Sequence, residues 1–200
     1  MRVSRRALLS LALLAMALSS APGCGLFKPR SSEKPSTPSV PCSNLRVPSD
    51  AEGEILKQYA RPGGSSCYSA CIDTGFIFHP DPTDSAEALP LTPFVGWNRD
   101  VETSVEQRLE RAADSVLVSF DSLYAATSHP RQDQEIRFCY YHLYFKAAGD
   151  TALVRYQGLA DITYRQNLGD NKWRILDWAD KRDGSGLSTW GTLRRTYRNF

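Results

Sequence analysis

Glu135 to Ala147 and Thr151 to Arg165 flank Gly149-Asp150, and no other stretch restricts the fold of this chain so tightly. Gly-Asp is a two-residue hairpin signal. Pairing Ala148 with Thr151 sets a register in which Phe145 faces Val154, Leu143 faces Tyr156, Tyr141 faces Gly158 and Cys139 faces Ala160. That face is apolar throughout and must pack on helices, because one residue of slip would turn it to solvent. The reverse face pairs Tyr144 with Arg155, His142 with Gln157, Tyr140 with Leu159 and Phe138 with Asp161, half aromatic and half polar.

Helical signals precede this hairpin. Ser49 can cap a helix whose stripe is Ile55, Leu56, Tyr59 and Ala60, broken by Pro62-Gly63-Gly64. A short helix from Ser66 to Ile72 presents Cys67, Ala70 and Cys71, and Phe76-Ile77-Phe78 is a strand ended by His79-Pro80-Asp81-Pro82. The clearest helix follows. Trp97, Val101, Val105 and Leu109 recur every fourth residue, Asn98 caps, and Glu106, Arg108, Glu110 and Arg111 take the wet side. Val116 to Phe120 and Lys172 to Asp180 complete the strands, and Ser188 to Arg198 is a last helix with Trp190, Leu193 and Tyr197 on one side. A turn at Asn167 to Asp170 sets Ile162 opposite Ile175 and Ala160 opposite Asp177, which places the Asp177 carboxylate on the helix-packed face. Helices followed by a paired antiparallel sheet make an α+β domain.

The N-terminus carries an address. Arg2, Arg5 and Arg6 precede the apolar run Ala7 to Leu18, too short to span the ~20 residues of a bilayer core. Ala21-Pro22-Gly23-Cys24 then resembles a bacterial lipoprotein signal. The resemblance implies residues 1–23 as a signal peptide, cleavage before Cys24 and a diacylglyceryl group on its sulfur. Gly25 in place of an aspartate points to the outer rather than the inner membrane. Residues 24–49 are a Pro/Ser-rich spacer, with five prolines and six serines between Lys28 and Asp50. Residues 50–200 are the folded domain. Of 24 Lys+Arg in the chain, three lie in the signal, which holds no acid, so 21 face 22 Asp+Glu beyond it. A near-neutral balance of this kind gives no basis for nucleic acid as a partner.

Phe76-Ile77-Phe78 before Pro80-Asp81-Pro82, Gly96-Trp97 opening a helix, Lys172 to Asp180, and Thr189-Trp190-Gly191 together carry a likeness. The sequence resembles the nuclear transport factor 2-like superfamily, the cone-shaped fold shared with ketosteroid isomerase, and more narrowly a group of bacterial lipoproteins with that domain. The resemblance implies a curved antiparallel sheet with N-terminal helices on one face and a ligand site in the cone interior. Asp177, held there among Trp97, Tyr141 and Tyr156, would act as general base or hydrogen-bond donor. The competing placement is at the rim, paired with Arg137 or Arg174, or in water.

Chemistry beyond that is sparse. There is no phosphate loop, no Gly-x-Ser-x-Gly elbow, and no zinc-type spacing linking His79 or His129 to cysteines, so neither metal nor cofactor is expected. Cys139 and His142 lie on opposite faces of one strand. Cys42, Cys67, Cys71 and Cys139 allow three disulfide connectivities; Cys42 with Cys67 and Cys71 with Cys139 is favoured, with Cys139 as a plain buried residue the alternative. Two functions stay open: a membrane-anchored domain that binds a small molecule or protein without catalysis, or a small-molecule isomerase, dehydratase or hydrolase of the ketosteroid isomerase kind. The face bearing Phe138, Tyr140, His142, Tyr144, Leu153 and Leu159 needs a cover: a second copy in a homodimer, another docked partner, or the C-terminal helix.

Overall fold

The computed structural model describes residues 42–59, 65–86, 93–125 and 131–198. The signal, Cys24 and most of the spacer lie outside the described residues, as does His129. In chain order the elements are α1 (Pro48–Tyr59), α2 (Ser65–Cys71), β1 (Ile72–His79), α3 (Pro82–Ala86), α4 (Arg99–Ala112), β2 (Ala113–Ala125), β3 (Gln134–Ala147), β4 (Val154–Asn167), β5 (Lys172–Lys181) and α5 (Trp190–Arg198). No described helix is long and apolar enough to cross a membrane.

The five strands form one open sheet in the order β1-β5-β4-β3-β2, with β1 parallel to β5 and every other neighbour antiparallel. The β3–β4 register is the expected one, from Phe145 opposite Val154 to Cys139 opposite Ala160 and on to Gln134 opposite Arg165. Ala148 and Thr151, however, do not pair: they lie in the six-residue connection 148–153, whose turn is closed by the Asp150 amide on the Ala147 carbonyl. Its inner face holds Cys139, Tyr141, Leu143, Phe145, Ala160, Ile162 and Tyr164, all buried against the helices. The architecture is an α+β cone, with the helices inside the curve of the sheet.

Three other expectations need correcting. Residues 42–49 are not all spacer: Leu45 is buried in the core, and its carbonyl accepts from the Trp173 amide at 2.7 Å. Cys42 bonds Cys67, with Cα atoms 5.3 Å apart, but Cys71 and Cys139 are separate, buried thiols. Cys71 directly precedes β1 and Cys139 sits on β3, three strands away. At about 4.8 Å per strand that is roughly 14 Å, twice the reach of a disulfide. Burial pushes both thiols up to about 12, which leaves them unreactive. Third, α5 does not cover the outer face of the sheet. It packs on the inner one, where Trp190 meets Tyr141 and Trp178, and Tyr197 meets Phe145. On the outer face Asp183 accepts from the Tyr140 hydroxyl at 2.7 Å and from Gln157, while Leu153 and Leu159 stay exposed.

Candidate functional site

The cone interior is built on α4. The Asn98 side chain caps it by accepting from the amides of Asp100 and Val101 at 3.0 and 3.1 Å. Its buried face is Glu102, Val105, Glu106 and Leu109, the i, i+3, i+4, i+7 spacing of one helical side. Two carboxylates therefore point into the core. The sequence reading assigned Glu106 to the wet side because an acidic residue in a charged run ordinarily lies there; here it has no exposed surface. The reason comes from 88 positions further along the chain.

Arg194, on α5, is fully buried and completes the cluster. Its Nη2 lies 2.8 Å from Glu102 Oε1, and its Nε 3.9 Å from Glu106 Oε1. Glu102 also accepts from the Tyr68 hydroxyl at 2.5 Å and from Trp97 Nε1 at 2.6 Å, and Tyr59 donates to Glu106. The guanidinium carbon is 4.5 Å from the ring centre of Trp178, 4.6 Å from Phe78 and 4.9 Å from Trp190. Each of these distances is within cation–π range, and desolvation makes such contacts stronger. Burial and the neighbouring Glu102 charge push Glu106 up to about 8. That shift favours the neutral form of Glu106, and the closer ion pair of Arg194 is the one with Glu102.

Asp180 is the second centre, and it replaces Asp177. The turn closes with Asn167 opposite Lys172, and Tyr164 opposite Ile175 keeps both side chains inward. Then β5 carries one extra residue, Leu176, so that Thr163 faces Asp177 and Ile162 faces Trp178. A bulge of one residue exchanges the faces of everything beyond it. Trp178 and Asp180 turn inward, and Asp177 turns outward to pair with His79 Nε2 at 2.7 Å. The broken alternation Ile175-Leu176-Asp177-Trp178 is the trace of this bulge in the sequence.

Asp180 accepts from the Tyr141 hydroxyl and from the Gly191 amide, both at 2.6 Å. The Trp190 amide donates to the Tyr141 oxygen at 2.8 Å, and the Thr192 amide to Thr189 Oγ1 at 3.4 Å. The first amides of α5, which no helical carbonyl can satisfy, thus end on inner-sheet and capping groups, with an anion at the positive end of the helix. Thr189 in turn donates to the buried Asp84, which Arg182 holds at 2.8 Å. Gly158 makes room for this: a Cβ there would lie 2.6 Å from the Tyr141 hydroxyl and 2.7 Å from the Lys181 carbonyl. Gly158→Ala is expected to cost ~1–3 kcal/mol in denaturant titrations, because the backbone oxygen cannot move aside as a side chain could. A stability within about 0.5 kcal/mol of the parent, the usual scatter of inconsequential substitutions, would show that Tyr141 is not held over this position.

Of the site residues read from sequence, the structure brings Trp97 and Tyr141 to the interior, leaves Tyr156 half-buried near the turn end of the hairpin, and excludes Asp177. Glu102, Glu106, Asp180 and Arg194 were missed as site residues. Among the described residues, Cys42, Glu54 and Cys67 form the grouping of metal-ligating types, within 4.8 Å of one another, and the two sulfurs are already bonded. On the outer face a hollow of about 290 Å³ is lined by Phe138, Tyr140, Leu159, Asp161 and Lys181, with Lys181 paired to Asp161.

The raised carboxyls give stability a pH dependence. Burial pushes Asp180 up to about 6, and burial with Glu102 pushes Glu106 to about 8. Unfolding returns both to the ordinary range near 4, so the folded chain keeps these protons to higher pH. Their stabilising effect is complete below about pH 4 and is lost as pH rises through the folded values. Glu106→Gln, neutral at every pH, is expected to flatten the decline in unfolding free energy between pH 5 and 8. Profiles that stay parallel for parent and variant would mean that Glu106 ionises in the fold as freely as in the unfolded chain.

No protein-family profile matches this chain, and no curated protein matches it in sequence. Solved structures do match. A protein from Novosphingobium aromaticivorans, provisionally named an aromatic ring hydroxylase, superposes with a TM-score of 0.55 at 8% identity over 77% of this chain and 99% of its own. A provisional scytalone dehydratase from the same organism gives 0.51 at 7% identity over 69% and 88%. A type 2 hexachlorocyclohexane dehydrochlorinase gives 0.50 at 7% identity over 70% and 88%. At such identities the likeness is one of fold, not of chemistry. With the β1-β5-β4-β3-β2 sheet and the helices inside its curve, it identifies the domain as having the fold of the nuclear transport factor 2-like superfamily.

Proposed function

We propose that this chain is an exported bacterial lipoprotein, tethered by lipid on Cys24, whose cone binds rather than catalyses. The observation that carries the reading is the commitment of the interior groups. Asp180, the carboxylate best placed for acid–base work, is 2% exposed and fully engaged with Tyr141 and with the first turn of α5. The solved relatives named above include a dehydrochlorinase and a provisional dehydratase, and the same chemistry here would require Asp180 to leave its helix-capping role. The competing enzymatic reading is therefore testable. If Asp180 serves to hold α5, Asp180→Asn speeds amide hydrogen exchange across residues 190–198. Unchanged exchange there would mean that the carboxylate is available to a substrate, and would return the enzyme to first place.

The anchor rests on Arg2, Arg5, Arg6, the short apolar run and Ala21-Pro22-Gly23-Cys24. Several acyl chains on one residue, each buried methylene contributing about 0.8 kcal/mol, hold a protein firmly at an outer-membrane surface. Cells fed a fatty-acid analogue are expected to label the parent chain and not Cys24→Ser. Label that persists in the variant overturns the anchor.

A further inference from the structure

Arg194 enters the interior as an organic cation would. The groups that receive it come from elsewhere in the chain: Glu102 and Glu106 from α4, Tyr68 from α2, Phe78 from β1 and Trp178 from β5. Two aromatic faces, a carboxylate and a tyrosine hydroxyl around a buried volume are what recognition of a planar cation requires.

The fit of Arg194 to this cage is incomplete. Nη2 makes its hydrogen bonds, but Nε and Nη1 have no hydrogen-bond partner, and neither has Glu106 Oε1. All belong to residues with no exposed surface. The 3.9 Å between Nε and Glu106 Oε1 is too long for a hydrogen bond. The helix explains the shortfall. Asp180, Tyr141 and Thr189 pin the first turn of α5, and Arg194 Cα must sit one turn further along it. A cation free of that tether can settle between Glu102 and Glu106 and donate to both. Unmet donors and acceptors in a buried site cost about 1–3 kcal/mol each, so a better-seated cation has that much to gain.

We propose that the cone interior is a binding site for a small molecule bearing a guanidinium or amidinium group, and that Arg194 occupies the site until such a molecule displaces α5. This rests on the reading of the cone as a binding domain and names its ligand class. α5 adds no strand to the sheet, so its withdrawal leaves all four strand pairings intact. Trp190 leaves with it, and Trp178 and Phe78 remain as the walls. Because Arg194 competes from within the chain, the apparent affinity of the intact protein is lowered by the small fraction of molecules with α5 withdrawn.

Two measurements on the full-length chain test this. In the first, Arg194→Ala is melted with methylguanidinium or with its neutral isostere methylurea. The variant is expected to prefer methylguanidinium about 10–30-fold, the equivalent of a desolvated cation–π contact. Equal response to the two solutes overturns the proposal. In the second, the unmodified protein is titrated with phenylguanidinium while hydrogen exchange is followed across residues 190–198. Exchange there is expected to rise and saturate while that of β3 and β4 stays protected. No change at about a hundredfold the concentration that half-saturates the variant overturns it, because α5 would then be a permanent part of the core. Should Arg194→Ala fail to fold in either solute, the exchange titration decides alone, read to the solubility limit of phenylguanidinium. Neither measurement involves Cys24 or turnover, so loss of the anchor or discovery of a substrate would strike the binding reading separately.

Discussion

Arg194→Met is expected to lower the stability of the domain by about 3–5 kcal/mol, the largest single-residue effect that the geometry implies. Methionine matches much of the volume, so the loss is mainly electrostatic. It leaves the Glu102 carboxylate buried without its cation, although Tyr68 and Trp97 still donate to it. Removing one partner of a buried pair is costly for that reason, whereas removing both is often close to neutral. Adding Glu102→Gln to Arg194→Met should therefore recover a substantial part of the loss, and a double-mutant cycle in urea reads the coupling directly. A single-variant loss below about 1 kcal/mol would place the guanidinium in a solvated position, as for a surface ion pair.

Leu143→Ala is expected to cost about 2–5 kcal/mol, while the neighbouring His142→Ala costs less than about 1 kcal/mol. Leu143 is fully buried opposite Tyr156 on the inner face. His142 lies on the outer face beside Asp121 at 3.1 Å and Arg155 at 3.0 Å, both partly in water. Chemical denaturation of the two variants reports which face of the hairpin carries the core. A larger effect at His142 would reverse the faces of β3 and β4.

The contrast between β3–β4 and β4–β5 shows how far a strand pattern can be followed. The turn at Gly149-Asp150, closed by the Asp150 amide on the Ala147 carbonyl, sets the residue count, and twelve consecutive pairs follow from it without interruption. The next connection, Leu168 to Asn171, is shorter, four residues against the six of 148–153, but Leu176 bulges out of β5 soon after it. Each pairing beyond the bulge depends on a single extra residue, and nothing in composition selects Leu176 over its neighbours. The interior carboxylate was accordingly assigned to Asp177 when it is Asp180. Of its expected surroundings, Tyr141 on β3 does hold the interior carboxylate, while Trp97, just ahead of α4, donates to Glu102 instead.

Local chemistry sufficed for the α+β order, the faces of the central hairpin, the cap of α4, the last helix and the pairing of Cys42 with Cys67. These depend on hydrogen bonds and periodicities that close within a few residues, or on a choice among few partners. The contents of the cone were decided only by tertiary structure. Glu102 and Glu106 are ordinary acids on an amphipathic helix until Arg194 arrives from 92 and 88 residues further along, and Arg194 is an ordinary basic residue of a short helix until two carboxyls and three rings enclose it. A buried charge is tolerated only with its partner in place, and that partner is supplied by the path of the chain from β5 through Asp180 into α5, which no window of the sequence contains.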